Sequence, residues 1–369
     1  MNKICIVTTS RSEYSHLKWM IKQINDDIDL ELQLVVTGAH LCDEQGYTIN
    51  EIYNDGFPIM SVVDVNADNT SKLSIAKTMS KINDKIADVF DTLKPDILMV
   101  LGDRYELLPI CAAAFLMDIQ IGHVSGGDIT EGAIDDGIRN AITMLATYHF
   151  PGNTDSALNI SRMKNSEKNI FTVGELSLDL FNNEKLLSRM DLAENLELCQ
   201  NKEWVLLTYH PETKETLSYN MDAIQNIIKV LQEISNIEVV ITGANMDYGG
   251  KEINYFLAQT SNNDKKFKFF PSLGQLRYLS LMKQVFFVIG NSSSGIVETP
   301  FLSVPAINIG NRQKGRHLCN NIIQSGYSCE EIKAALGMIN LNKNINDRNY
   351  WGDGKSTGKI VEIIKKCVK

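Results

Sequence analysis

The sequence contains no hydrophobic run that could cross a membrane, because no stretch of about 18 consecutive apolar residues occurs. Its seven cysteines include no C-x-x-C pair, so neither a zinc site nor a disulfide framework is expected. No G-x-G-x-x-G follows the first strand, which disfavours a nicotinamide or flavin cofactor. Residues Met1–Val7 enter a strand without a signal-peptide core, and a cytoplasmic protein is therefore expected.

The chain also lacks a surplus of positive charge: 45 acidic residues against 36 lysines and arginines give a net charge of -9. A nucleic-acid-binding protein usually carries a basic surplus, so that class is disfavoured. A small anionic ligand remains compatible with this charge, because a few arginines can make a local positive site. The 369 residues exceed one ordinary core and predict two domains.

Strand and helix signals alternate along the whole chain. Apolar runs without polar alternation are typical of parallel strands that are covered on both faces, and apolar residues at helical spacing predict helices. The predicted strands are Lys3–Thr9, Leu32–Thr37, Ile97–Leu101, Ile119–Val124, Tyr148–Phe150, Ile170–Val173, Trp204–Thr208, Glu238–Thr242, Lys266–Phe270, Val285–Ile289 and Ala306–Ile309. The clearest predicted helices are Ser71–Leu93, Asn220–Ile234, Leu273–Met282, Glu330–Leu341 and Lys355–Val368.

This alternation predicts an α/β protein of two Rossmann-like, doubly wound domains that face a cleft. The domains are expected at residues 1–181 and 182–369, with a polar crossing at 182–202 and a last helix that can return to the N-terminal domain. Ligands of such sheets bind at the carboxyl ends of the strands, and the motifs of interest all follow predicted strands.

Two turns rich in serine and glycine follow predicted strands, one in each half. Ser125-Gly126-Gly127-Asp128 is the first, and Gly290-Asn291-Ser292-Ser293-Ser294-Gly295 is the second. Such turns leave backbone N–H groups free at a helix N-terminus, where phosphate binds. The second turn leads to Glu298, whose carboxylate can accept hydrogen bonds from ribose hydroxyls. The pair of turns predicts a nucleotide ligand, and the alternative is an ordinary capped helix.

Two carboxylates are acid–base candidates. Asp103 follows the strand that ends at Leu101, where it can cap a helix or act as a general acid or base. Asp135 begins a helix, where it favours the helix dipole and can pair with Arg139 for about 0.3–0.5 kcal/mol. A functional role requires Asp135 to face the ligand.

Basic and imidazole groups follow other strands. His210 precedes a proline, which favours an extended backbone that aims the imidazole away from the strand end. Arg312 lies in a basic loop, 310–317, that suits a diphosphate or is simply solvated. Ser10 can cap the first helix, and Arg11 beside it can reach a phosphate or a sugar.

Taken together, these motifs resemble those of the UDP-N-acetylglucosamine 2-epimerase family, in particular its hydrolysing branch, which makes precursors of sialic-acid-type sugars. The resemblance covers nearly the whole chain. It rests on Ser10–Tyr14, Val36–His40, Gly102–Arg104, His123–Gly127, Gly132–Asp136, His210–Pro211, Gly290–Ser293 and Gly310–Gln313.

The resemblance implies a fold like that of GT-B glycosyltransferases, a UDP-sugar substrate, no metal or redox cofactor, and a homodimer. The implied reaction eliminates UDP across C1–C2 to give a 2-acetamidoglucal, which water then converts to a free sugar inverted at C2. The implied acid–base residues are Asp103 and Asp135, with His210 near the diphosphate and sugar. The implied substrate-binding residues are Arg11, Glu13, Ser125, Asn245, Ser292, Ser293, Ser294, Glu298 and Arg312.

The sequence departs from the family pattern at one position. Many members have a glutamate as the second residue after the histidine of the H-x-x-G-G turn, whereas this chain has Ser125, which cannot be a carboxylate base. Either Asp128 or Asp135 takes this duty, or Asp103 carries more of it.

The leading hypothesis is a hydrolysing enzyme that converts UDP-GlcNAc to N-acetylmannosamine and UDP. A close alternative acts on UDP-2,4-diacetamido-2,4,6-trideoxyglucose, for legionaminic-type sugars. A non-hydrolysing epimerase, a GT-B glycosyltransferase and a non-enzymatic nucleotide-sugar sensor are the other readings.

Overall fold

The computed structural model describes residues 1–43, 46–67, 71–131, 134–245, 247–339 and 347–367. Parts of the predicted helices 330–341 and 355–368, and of the motif 132–136, therefore lie outside the described residues. The chain divides into two compact units. The first comprises Met1–Asp128, Asp135–Asn183 and Gly352–Lys369, and the second comprises Ile129–Ile134 and Glu184–Trp351.

The first unit contains a parallel sheet that, within the described residues, has six strands in the order β3-β2-β1-β4-β5-β6. They are β1 (Asn2–Thr8), β2 (Leu30–Thr37), β3 (Ile59–Val63), β4 (Ile97–Leu101), β5 (Gln120–Val124) and β6 (Tyr148–Phe150). β1 and β4 are apolar and buried, as expected for central strands of a sheet that is covered by helices on both faces.

The helices of this unit are α1 (Arg11–Asn25), α2 (Ile49–Asn54), α3 (Lys72–Leu93), α4 (Leu107–Leu116), α5 (Asp135–Leu145), α6 (Thr154–Lys164), α7 (Leu180–Asn183) and α14 (Ser356–Cys367). Ser10 caps α1, because its side chain accepts the Glu13 N–H. The buried Asp179 carboxylate accepts the N–H groups of Ser356 and Thr357 at 2.8 and 2.6 Å. This contact fixes the start of the last helix within the first unit.

The second unit contains another parallel sheet, whose described strands run in the order β12-β11-β10-β7-β8-β9. They are β7 (Glu203–Thr208), β8 (Ile237–Thr242), β9 (Phe267–Phe270), β10 (Phe287–Gly290), β11 (Ala306–Ile309) and β12 (Ile322–Ser325). Numbered within its own unit, this order is the same 3-2-1-4-5-6 arrangement as that of the first sheet. The order reverses between β1 and β4 and between β7 and β10, which are the switch points where doubly wound sheets bind ligands.

The helices of the second unit are α8 (Arg189–Asn195), α9 (Leu217–Glu233), α10 (Gly250–Asn263), α11 (Gly274–Met282), α12 (Ser294–Leu302) and α13 (Cys329–Met338). Apolar residues of α9, α10 and α13 and of the sheet form a continuous buried cluster that includes Val205, Ile241 and Ile289. In the parts of the chain that are described, no helix is both long and apolar enough to span a bilayer. The prediction of two Rossmann-like α/β domains is confirmed by the two sheets.

One predicted strand is absent from the structure, and two observed strands were not predicted. Residues 170–173 do not form a strand; Ile170 makes an isolated bridge to His149, because β6 beside it is only three residues long. The edge strands β3 and β12 were not predicted. β3 is only partly buried, and only two of the four residues of β12 are apolar, so neither gives the apolar run of a central strand.

Candidate active site

Three strand ends of the second unit converge on one asparagine. Asn291, which directly follows β10, is fully buried. Its side-chain amide bonds both backbone groups of His210: Oδ1 accepts the N–H at 2.7 Å, and Nδ2 donates to the carbonyl oxygen at 2.8 Å. Its own carbonyl oxygen accepts Arg312 Nη1 at 3.2 Å and Gln313 Nε2 at 2.9 Å. Asn291 therefore joins the segments that follow β7, β10 and β11.

His210 is held as a neutral imidazole. Its Nδ1 accepts the backbone N–H of Asn245 at 3.1 Å, which leaves the ring proton on Nε2. Burial, assisted by the positive charge of Arg312, lowers the pKa of His210 to about 3. The side chain of Asn245 itself donates to Asp247 at 2.6 Å. The predicted residues His210 and Asn245 thus meet, through the backbone of Asn245.

The serines after β10 lie at the start of α12. Ser293 is the N-cap residue, but its side chain makes no capping bond. The N–H of Ser294 donates to Ser292 Oγ at 3.3 Å, and the N–H of Gly295 donates to the Ser292 carbonyl oxygen at 3.1 Å. These N–H groups already have acceptors, which differs from the expectation of free donors. The serine hydroxyls and the helix dipole remain as the groups that favour an anion here.

A small cavity lies beside this turn, lined in part by Thr208, Gly290, Ser292 and Asn308. Gly290 has φ 137°, and a Cβ there would lie 1.9 Å from the Thr208 carbonyl oxygen, so a side chain at position 290 is sterically forbidden. Glu298, on the second turn of α12, is 5% exposed. The sequence-predicted phosphate and ribose residues therefore share one strand edge.

Sequence reasoning missed Tyr278, on α11. Its hydroxyl lies 3.2 Å from Thr208 Oγ1, which in turn lies 2.7 Å from Thr242 Oγ1. Burial raises the pKa of Tyr278, while hydrogen bonds with Thr208, Ser294 and Ser292 act in the opposite direction. The paired threonines that end β7 and β8 were the available signal, but nothing in the sequence placed a tyrosine from α11 beside them.

The loop after β11 is held by the buried side chain of Glu212. Its Oε1 accepts the Asn311 N–H at 3.0 Å. Gly310 has φ 73°, and a Cβ there would lie 2.0 Å from the same oxygen, so only glycine allows the carboxylate to approach. Burial raises the pKa of Glu212. This residue was also missed, although it stands two positions after His210.

In the first unit, Asp103 pairs with Arg139. The arginine is 2% exposed, and its guanidinium also donates to the Asp128 carbonyl oxygen at 2.9 Å and lies 3.5 Å from Asp136. Asp103 does not cap a helix, because α4 begins four residues later, at Leu107. The structure thus excludes the capping reading of Asp103, and its functional role stays a prediction.

The other predicted residues of this unit differ in exposure. Asp135 is the exposed first residue of α5, and Asp128 is buried, with its Oδ1 bonded to the Ser156 hydroxyl. Arg11 is largely solvent-exposed and lies 4.0 Å from Glu51. Of these, Asp135 and Arg11 have the accessible side chains.

Glu13 is buried rather than exposed to a ligand. Its Oε2 accepts both the backbone N–H and the hydroxyl of Thr9, at 2.7 and 2.8 Å. Burial raises its pKa to about 7, and these hydrogen bonds and the charge of Arg104 oppose the rise. These contacts give Glu13 a role in holding the end of β1, which the sequence did not indicate.

His123, in β5 two residues before the Ser/Gly-rich turn, makes contacts that support the fold. It is fully buried; Nε2 donates to the Gly102 carbonyl oxygen at 2.8 Å, and Nδ1 lies 3.1 Å from the Thr143 hydroxyl. Burial lowers its pKa to about 4. The neutral ring therefore ties the segment before Asp103 to α5.

One group of side chains in the described residues has metal-ligand chemistry: His317, Cys319 and Asp347, whose ligand atoms lie within 4.8 Å of one another. The thiol donates to the Asp347 carbonyl oxygen at 3.8 Å, and burial raises its pKa to about 12. A buried, protonated thiol is a poor starting point for metal binding, because the thiolate is the ligand.

The fold resembles that of solved nucleotide-sugar enzymes. The crystal structure of the Methanocaldococcus jannaschii UDP-GlcNAc 2-epimerase in complex with UDP-GlcNAc and UDP matches with a TM-score of 0.81 and 21% identity, over 99% of both chains. At this identity the likeness shows the fold alone.

Sequence comparison identifies the family. The family model for UDP-N-acetylglucosamine 2-epimerase matches residues 22–365, and the chain belongs to that family. A Campylobacter jejuni relative, GDP/UDP-N,N'-diacetylbacillosamine 2-epimerase (hydrolyzing), is 40% identical over 88% of this chain and 84% of its own length. Polysialic acid biosynthesis protein P7 of Escherichia coli is 32% identical over 100% of this chain and 95% of its own.

Proposed function

We propose that this protein is a hydrolysing 2-epimerase that converts a UDP-2-acetamido-2-deoxy sugar and water into the free, C2-inverted sugar and UDP. The observation that carries this proposal is the carboxylate of Asp103, held at the end of β4 by the buried Arg139, in a chain that is 40% identical to a relative named as hydrolysing. Elimination and hydration at C1–C2 each require a positioned acid–base group, and a carboxylate is such a group.

The proposed substrate is UDP-2,4-diacetamido-2,4,6-trideoxyglucose, the UDP-N,N'-diacetylbacillosamine in the name of the Campylobacter relative. UDP-GlcNAc, with N-acetylmannosamine as product, is the second candidate. It is favoured by the E. coli relative, whose name refers to polysialic acid biosynthesis and which aligns with the whole of this chain.

In the proposed reaction, the pair of electrons of the C2–H bond forms the C1–C2 double bond while the C1–O bond breaks and UDP leaves. Water then adds its hydroxyl group to C1, and a proton is delivered to C2 from the opposite face. The sequence of steps has no net oxidation, so it requires no redox cofactor. Asp103 and Asp135 are the proposed acid–base groups, with Asp128 as the further carboxylate candidate.

The second unit supplies the proposed UDP site. The Ser292, Ser293 and Ser294 hydroxyls bind phosphate or ribose, Glu298 binds the ribose, and Arg312 balances the growing charge of the diphosphate. His210, neutral with its proton on Nε2, donates a hydrogen bond to the leaving group. Asn245 orients this histidine, and Arg11 of the first unit is a further candidate for the diphosphate or sugar.

The organisation predicted from the sequence and from the resemblance is also part of this proposal. It comprises a cytoplasmic homodimer and domains that meet near residue 181, beside the boundary of the compact units at Asn183.

Proton NMR in deuterated water tests the proposed function. The protein is incubated separately with UDP-GlcNAc and with the diacetamido sugar nucleotide. A free sugar with deuterium at C2 and an equimolar amount of UDP supports the proposal, and the substrate consumed faster identifies the specificity. Accumulation of a C2-inverted UDP-sugar would instead establish a non-hydrolysing epimerase, and two intact substrates would favour a glycosyltransferase or a sensor.

A further inference from the structure

Ser125 occupies an unusual backbone position between three strand ends. It directly follows β5, in which Val124 pairs in register with Leu101 of β4 and Phe150 of β6. Its φ of 57° is left-handed, which is uncommon for a residue with a side chain, and its N–H donates to the Phe150 carbonyl oxygen at 3.0 Å. Asp103 follows β4 at the neighbouring position. Ser125 is therefore fixed next to the strand end that carries the proposed acid–base carboxylate.

The hydroxyl of Ser125 is bonded to a carboxylate from a distant part of the chain. Its Oγ donates to Glu175 Oε2 at 2.7 Å, across 50 residues of sequence. A Cβ at Gly152 would lie 1.8 Å from Glu175 Oε1, so the chain leaves room for this carboxylate only by having glycine after β6. The sequence has a serine and no carboxylate at position 125, and the fold brings the carboxylate of Glu175 to the hydroxyl of this serine.

The backbone around Glu175 is anchored on both sides. The N–H of Val173 donates to the Pro151 carbonyl oxygen at 3.1 Å, and the Glu175 carbonyl oxygen accepts the Leu178 N–H at 3.2 Å and the Ser356 hydroxyl at 3.3 Å. The Glu175 carboxylate therefore stands on a fixed segment of backbone. A fixed backbone keeps this carboxylate in one position relative to the Ser125 hydroxyl.

We propose that Ser125 and Glu175 form a proton relay that serves the elimination step, an inference that rests on the proposed function. Ser125 Oγ takes the C2 proton as its own proton passes to Glu175 Oε2. The C2–H electrons form the C1–C2 double bond, and the C1–O electrons depart with UDP. Glu175 then loses its proton to solvent before the next turnover. A serine hydroxyl alone is too weak a base for this step, and the adjacent carboxylate supplies the basicity.

The test compares three variants with wild type. Glu175→Gln keeps an acceptor for the Ser125 hydroxyl but cannot take its proton, so turnover is expected to fall at least about 100-fold, while UDP affinity and the unfolding midpoint stay close to wild type. Ser125→Ala removes the relay and is expected to lower turnover at least about tenfold. The double variant Ser125→Glu with Glu175→Gln returns a carboxylate to position 125, and it is expected to recover turnover above Glu175→Gln alone.

Two further readouts separate a relay from a merely structural contact. The kcat–pH profile of wild type is expected to have an acidic limb, and this limb is expected to disappear in Ser125→Ala. Glu175→Asp, which keeps the charge, is expected to retain more turnover than Glu175→Gln. Near-wild-type turnover in Glu175→Gln would overturn the relay, and so would equal losses in all variants with an unchanged pH profile. If Glu175→Gln does not fold, Ser125→Ala and its pH profile decide. A wild-type protein that consumes neither UDP-sugar overturns the proposed function and the relay together.

Discussion

At the scale of single residues, Arg139 links the proposed chemistry to stability. Its buried guanidinium lies against two carboxylates, Asp103 and Asp136, of which only Asp103 follows a strand end. Removing either carboxylate leaves the buried charge less well compensated, which costs stability. Only the loss of Asp103 is expected to remove an acid–base group.

This difference gives a matched pair of variants. Asp103→Asn is expected to lower turnover at least about 100-fold, the usual size of a general acid–base contribution, and to leave UDP affinity unchanged. Asp136→Asn is expected to lower the unfolding midpoint but to keep turnover near wild type. Steady-state kinetics, UDP titration calorimetry and thermal unfolding measure the three quantities. Equal turnover in the two variants would contradict an acid–base role for Asp103.

Residue identity was readable from the sequence where a motif stands at a strand end. His210 and Arg312 were found because each follows an apolar run, and in the structure both are bonded to Asn291, to which the sequence analysis gave no role of its own. Glu175 and Tyr278 were not found. Tyr278 lies within α11, and Glu175 follows the predicted strand 170–173 without any accompanying motif; each reaches the strand edge by a tertiary contact that local periodicity does not encode.

At the scale of secondary-structure elements, the side-chain amide of Asn291 joins the segments after β7 and β10. It bonds the N–H and the carbonyl oxygen of His210, as a residue of a neighbouring β-strand would. Asn291→Ala removes both bonds to the His210 backbone, so His210 is expected to lose its fixed orientation. UDP affinity and turnover are expected to fall at least about tenfold, in line with the loss of two buried hydrogen bonds of about 1 kcal/mol each.

Asn321→Ala is the matched control for this substitution. Asn321 is also fully buried, and its amide bonds Thr299 and the Val304 carbonyl oxygen, none of which is a proposed ligand residue. It is expected to lower the unfolding midpoint as Asn291→Ala does, with UDP affinity retained. Similar losses of affinity in both variants would indicate general destabilisation and not a role of Asn291 at the site.

The elements themselves were predictable to the extent that they are buried on both faces. The central strands β1, β4, β7 and β10 appear as uninterrupted apolar runs, and their predicted bounds agree with the structure to within two residues at either end. Of the four edge strands, β6 and β9 were predicted, whereas β3 and β12 gave no such signal. Partial exposure breaks the apolar run of β3, and the exposed Gln324 shortens that of β12. Hydrophobic periodicity reports burial, and it reports strand pairing only through burial.

At the scale of the whole molecule, buried neutral histidines set the response to acid. Burial lowers the pKa of His16, His40 and His123 to about 4 and that of His149 and His210 to about 3, from 6.5. Below pH 6.5 the unfolded chain takes up these protons and the folded protein does not, until the pH reaches the lowered values. The free energy of unfolding therefore falls with pH across this window, by about 2 kcal/mol for each histidine at pH 5.

Glu13 acts in the opposite direction, because burial raises its pKa to about 7 and its contribution to stability is lost as the pH rises towards that value. Five histidines outweigh one carboxyl group, so the urea midpoint is expected to fall between pH 7 and pH 5. His149→Gln is expected to make this fall shallower. A midpoint that is constant or rises on acidification would refute this account.

The return of α14 to the first unit has a consequence for biosynthesis. The helix that packs against α1 and is capped by Asp179 follows the whole of the second unit in sequence, so the first unit lacks part of its core until the second unit has been synthesised. While the ribosome makes the second unit, the apolar surface of α1 that Ile360 and Ile364 later cover stays open to water. The nascent chain thus carries a chaperone-accessible face throughout synthesis of the second unit, and completion of the first unit waits for α14.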